Sequence, residues 1–143
     1  MPLLTVLVGL ALDRLWPMDL QAGFGPPESY WIGGAIILAA VLGLGLWSVL
    51  LIRRSGQSEN PWKPTTQVIQ SGPFRITRNP MYLQMVLVCL GFSVAAVSLW
   101  ILVLTPVCAW LLQRLAIVPE EKYLEDKFGE TYLAYKRKVR RWI

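Results

Sequence analysis

Histidine occurs nowhere in the 143 residues. Its absence removes the side chain that most often moves protons near neutral pH, and with it the commonest metal ligand. Cysteine is nearly as scarce. Cys89 and Cys108 both sit inside apolar blocks, carry no metal-type spacing and read as small buried hydrophobes. Charge is thin as well: 16% of residues against 55% hydrophobic, where a soluble domain carries roughly a quarter charged. Acids are the scarcer sign, 9 against 14 Lys and Arg, for a net charge of +5. There is no internal repeat and no low-complexity segment. What remains is a chain of long apolar blocks, with length for one compact bundle over residues 1–143 and no second domain. The composition therefore predicts an all-α, polytopic membrane helix bundle. Its basic residues gather at block ends, which points to an anionic leaflet or a topology signal rather than nucleic acid.

Four spans are expected. Residues 3–16 form a first, short block with Trp16 at its end; it lacks the basic start and small-residue cleavage site of a signal peptide. Residues 30–52 form the clearest span, with Trp31 and Trp47 toward its ends and Gly33, Gly34, Gly43 and Gly45 offering thin faces for helix contact. Arg53-Arg54 stops it. Residues 81–118 are almost continuously apolar and about twice as long as one span. They read as a hairpin of two spans, 81–97 and 99–118, turning near Ser93 to Trp100, with Pro106 kinking the second arm. The polar segment 53–80 carries five Lys or Arg against Glu59, so the positive-inside rule puts it on the cytoplasmic side together with the basic tail 119–143. In the tail, Pro119 with Glu120 and Glu121 reads as a helix start and Gly129 as a stop. A second short helix, about 130–139, shows Tyr132, Tyr135 and Val139 on one face.

Between the second and third blocks lies Ser71-Gly72-Pro73-Phe74-Arg75-Ile76-Thr77-Arg78-Asn79-Pro80-Met81-Tyr82. Gly72-Pro73 favours a turn, and Pro80 suits the first turn of the next helix. Arg75 and Arg78 stand beside a helix start whose free N–H groups attract anions. The plain alternative is a basic loop that only sets topology. Folding the hairpin brings this corner near Glu120 and Glu121, and guanidiniums converging with carboxylates suit a zwitterionic ligand. The matching plain reading is a helix N-terminus with headgroup-binding arginines.

The corner, followed by Glu120-Glu121, Leu124, Phe128-Gly129, Tyr132, Tyr135, Val139 and Arg141-Trp142, resembles the isoprenylcysteine carboxyl methyltransferase family and its wider relatives, the phospholipid methyltransferases. The likeness covers roughly residues 60–143. Two motifs in the right order around a membrane hairpin make it specific. It implies an S-adenosylmethionine-dependent integral membrane methyltransferase, with the donor at the cytoplasmic helix ends under the C-terminal segment. A lipophilic acceptor, a prenylcysteine-type carboxylate or a lipid, then enters from the bilayer; in a bacterium the inner membrane is the expected location. Thr66, Gln67, Val68 and Ile69 match the family's first cofactor segment. Phe74, Arg75, Asn79, Pro80, Met81, Tyr82 and Glu121 complete the expected donor-binding set, and Glu120, Glu121 and Arg78 the catalytic one. No metal is expected. Asn79 stands where the eukaryotic pattern has His, and an amide does not titrate. The family's substrate-binding Arg falls near Ala116, with Arg114 close but out of register.

The chemistry agrees with these residue types. An acid can pair with the donor's ammonium and an Arg with its carboxylate. Phe74 and Tyr82 can offer ring faces to adenine or sulfonium. In-line methyl transfer needs mainly positioning and desolvation; only an amine acceptor needs a base, for which Glu120, Glu121 or water are the options. Two other readings stand beside this one. NADPH-dependent sterol-type reductases share a related C-terminal motif but are usually longer. A non-catalytic scaffold or small transporter would be expected to carry charge within its spans, and these spans carry almost none away from their ends.

Overall fold

The computed structural model describes residues 1–17, 27–56 and 67–143. All regular structure among them is helical: α1 (Pro2–Leu15), α2 (Pro27–Arg54), a 3-10 turn (Gly72–Arg75), α3 (Pro80–Ala95), α4 (Leu99–Leu112), a π-turn (Gln113–Ile117), α5 (Val118–Phe128) and α6 (Glu130–Lys138). α2 packs along α3, and α1 packs on α4 and α3. The core they enclose is Val6, Cys89, Ile101, Cys108 and Leu112, with Tyr82, Met85 and Val86 against it.

The expectation of four spans is not met. Two helices are long and apolar enough to cross a membrane, Tyr30–Arg54 and Leu99–Phe128. Pro80–Ala95 is apolar but has 16 residues, about 24 Å at 1.5 Å per residue. α1 has 14 residues, about 21 Å. Both fall short of a hydrocarbon core of about 30 Å. The apolar stretch 81–118 does fold into a hairpin, but the turn takes Ala96, Val97 and Ser98 out of α3. Ser98 N donates to Ser93 O at 2.9 Å and Val97 N to Val94 O at 3.2 Å, the paired bonds of a Schellman stop. Val97 takes the left-handed position, φ +49°, that glycine usually fills. Ser98 then caps α4, its hydroxyl accepting from Ile101 N at 3.1 Å.

The glycines of α2 divide by face. At Gly34 a Cβ would lie 2.5 Å from the Ala95 Cβ, so the absent side chain is what lets α2 touch α3 there. Gly43 faces open space and contributes no such contact. Pro106 lies within α4 without ending it. Pro119 likewise starts no separate helix. The chain passes from α4 into α5 through the π-turn, widening just ahead of a proline that has no N–H for the carbonyl four residues back. The helix ends where Gly129 takes φ +50°, and α6 follows at once. Lys136 of α6 pairs with Glu125 of α5.

Candidate active site

The 3-10 turn rests on the end of α2, with Leu51 and Trp47 beside Gly72. From there the chain runs through Thr77, Arg78 and Asn79 to Pro80 at the start of α3. Asn79 holds the position before α3 where a side chain usually caps its own helix. It makes no such bond. Its Nδ2 instead donates to the Arg141 carbonyl at 3.1 Å. The Thr77 hydroxyl donates to the same carbonyl at 2.9 Å and accepts from Asn79 N at 3.1 Å. Arg78 N donates to the Arg140 carbonyl at 3.0 Å. The C-terminal residues are thus laid along the corner through backbone groups, more than sixty positions away in sequence.

That placement delivers side chains. Arg141 donates from Nε to Glu121 Oε1 at 3.2 Å and from Nη2 to Oε2 at 2.7 Å, a two-toothed grip. Arg78 Nη2 reaches Oε1 of the same carboxylate at 3.1 Å. The Glu121 and Arg78 side chains are 5% and 7% exposed, whereas Arg141 is 31% exposed. Beside them the Tyr82 hydroxyl donates to Glu120 Oε2 at 2.9 Å. Glu120 makes no ion pair among the described residues, so its carboxylate is the uncommitted anion of the site.

α6 closes the far wall. Tyr132 and Tyr135 are buried with their rings edge to face at 6.0 Å. The Tyr135 hydroxyl donates to the Phe74 carbonyl at 2.6 Å, tying α6 to the 3-10 turn. Burial pushes the Tyr135 phenol up to about 12, against the pull of the nearby Arg78 charge. Tyr132 is raised as well, first by burial and then by the Glu121 charge. The Arg141 guanidinium is held above its ordinary value, chiefly by its hydrogen bond to Glu121. Trp142 Nε1 donates to Gln113 Oε1 at 2.8 Å, fastening the chain end to the π-turn.

Of the residues singled out from sequence, four meet in two pairs, Tyr82 with Glu120 and Arg78 with Glu121. Thr66 lies outside the described residues. Gln67 donates from Nε2 to Ser55 O at 2.8 Å, and Val68 and Ile69 are half-buried. Phe74 and Met81 are half-buried, while Arg75 is exposed. Asn79 and Pro80 are buried, and the Asn79 amide donates one bond to the tail. Sequence reasoning gave no role to Thr77 or Gln113, and took Arg141 only as part of a motif. Nothing local marks Arg141 among the basic residues around it.

A family model described as Phospholipid methyltransferase matches residues 29–131. An uncharacterized protein of Haemophilus influenzae is 39% identical over an alignment of 71 residues; the match covers 44% of this chain and all of that protein. No solved structure matches.

Proposed function

This chain belongs to the phospholipid methyltransferase family, and we propose that its Arg78–Tyr82 corner and Glu120–Glu121 pair together hold S-adenosylmethionine at a membrane face. As a family member it is an S-adenosylmethionine-dependent methyltransferase acting on a lipophilic substrate. The observation that carries the site assignment is the Tyr82 to Glu120 bond at 2.9 Å beside the Arg78 to Glu121 pair at 3.1 Å. It joins two sequence motifs 38 positions apart into one cluster.

The donor set fits a nucleoside with a zwitterionic tail. Glu120, free of a cation partner among the described residues, suits an ammonium. Arg78 has guanidinium donors left over for an anion. Tyr82 orients Glu120 and offers its ring face beside it. Bound S-adenosylmethionine supplies a methyl group already activated on a sulfonium. What these residues contribute is grip and orientation, and a buried wall of Tyr132, Tyr135 and the Arg78–Glu121 pair that limits water. A carboxylate acceptor, as in isoprenylcysteine, needs no base. For an amine acceptor, with Glu120 on the donor's ammonium, water is the base left to take the proton.

The helix Leu99–Phe128 has 30 residues, about 45 Å, against about 30 Å of hydrocarbon. Its charged end from Pro119 therefore lies outside the bilayer, in a multi-pass arrangement with the corner and tail on the cytoplasmic side. The acceptor reaches that face from the lipid. Calorimetry on detergent-purified protein tests the assignment. Wild type should bind S-adenosylhomocysteine saturably, with Tyr82→Phe and Glu120→Gln each weakening it about tenfold, the size of one lost hydrogen bond to a charged group. Folded protein that gives no heat with either donor or product refutes it.

A further inference from the structure

The features that mark a water boundary stand closer together on this bundle than an ordinary bilayer requires. On α2, Trp31 and Trp47 are both exposed, and indole rings gather at membrane–water interfaces. They are 16 positions apart, about 24 Å along a helix. Irregular backbone gives the same height, because lipid-exposed peptide groups outside a helix do not occur within hydrocarbon. At one end the α3–α4 turn follows directly on Ala95, which lies against Gly34 of α2, one helical turn from Trp31. At the other end Gly72 of the 3-10 turn lies against Trp47 and Leu51. α3, which joins these two irregular stretches, has 16 residues, about 24 Å.

The outer face of α4 repeats the measure. Val103, Val107 and Trp110 are exposed along it. Arg114, also exposed, comes 15 positions after Leu99, about 22 Å. Its guanidinium turns back toward the apolar part of the helix and stands 6.0 Å from the centre of the Trp110 ring. A charge on that face draws water and headgroups to its own depth. Three helices thus place the polar boundary at one height, each by a different feature.

We infer that the apolar girdle of this protein is about 24 Å high, and that its surface selects short-chain phospholipid over the lipids of a hydrocarbon layer of about 30 Å. Longer chains have to compress beside α4, at a cost that grows with the mismatch. Arg114 and Trp110 set the cytoplasmic edge on that helix, and the exposed Leu115 and Val118 lie beyond it. The height of the girdle is independent of what the corner binds.

Tryptophan quenching on the full chain, reconstituted in phosphatidylcholine vesicles, tests this. Brominated dioleoyl phosphatidylcholine is the quencher. Dimyristoleoyl, dioleoyl and dierucoyl phosphatidylcholine compete with it for the protein surface. The three share one neutral headgroup and differ only in chain length. Dimyristoleoyl lipid should be favoured about twofold over dioleoyl, and dierucoyl lipid should be disfavoured further. Arg114→Leu removes the charge and extends the exposed apolar face of α4 to Val118, so the preference for the shortest chains should narrow. Equal affinity for the three lipids, or a maximum at dioleoyl or dierucoyl, overturns the inference. So does a preference in Arg114→Leu identical with that of wild type. Should Arg114→Leu not fold, the order of the three lipids on wild type decides alone.

Discussion

Glu121 is the residue on which most of the site converges, and burial decides which of its partners matters more. The Arg78 pair is almost wholly out of water; Arg141 is nearly a third exposed, so solvent screens its share. Glu121→Ala leaves Arg78 as a buried charge without a counter-ion, and should cost about 3 kcal/mol of stability or more. Arg141→Ala leaves the Arg78–Glu121 pair in place and should cost less than half of that. Thermal unfolding of both variants in one detergent measures the difference. Equal losses would mean that Arg78 is not the energetically dominant partner. Asn79 illustrates the same logic from the other side. Its type and position suggested ligand contact, and one donor of its amide also serves the fold, bonding to the Arg141 carbonyl. Which hydrogen bond an amide makes depends on what arrives beside it, and here that neighbour comes from 62 positions away.

Element boundaries follow from local rules, and the α3–α4 turn is the place where those rules are under strain. Val97 is β-branched and sits at φ +49°, where its Cβ crowds the following carbonyl by about 1–2 kcal/mol. Glycine at this position meets no such clash. Val97→Gly should therefore raise stability by about 1 kcal/mol after its greater unfolded-chain entropy is counted. A higher melting temperature checks this; a lower one would show that the half-buried Val97 side chain gives more through packing than it loses in the backbone. The turn was legible in the sequence from its small residues and Ser98, as were the helix at Pro80 and the stop at Gly129. The unbroken passage from α4 to α5 was not. Pro119 reads as a helix start, but a π-turn absorbs the missing hydrogen bond and carries the helix through.

At the scale of the whole molecule, α6 and the chain end lock the corner onto the bundle through Tyr135, Trp142 and the Arg141 backbone. The buried phenols make this lock sensitive to alkali. Tyr135 is raised to about 12 in the fold, while an unfolded chain releases the same proton near pH 10. Its contribution is therefore complete below about pH 10 and is lost as pH rises through about 12. Tyr132, raised in the same direction, adds to the loss. The melting temperature should hold steady from about pH 7 to 9 and decline above about pH 10, with a shallower decline in Tyr135→Phe. Equal slopes in the two proteins would place the sensitive group elsewhere.

The apolar blocks, the helical class, the turn residues and the two motifs are properties of neighbours along the chain. Composition, proline geometry and glycine freedom act within a few residues, so the sequence alone determined them. The packing of α2 along α3, and of α1 on α3 and α4, was decided in three dimensions, because it joins segments far apart in the chain. So was the state of each polar group at the site. Tyr82 and Glu120, Arg78 and Glu121, and Asn79 and Arg141 are pairs between distant segments. Their bonds exist only after the bundle has closed, and no local pattern of residues records which donor is left over.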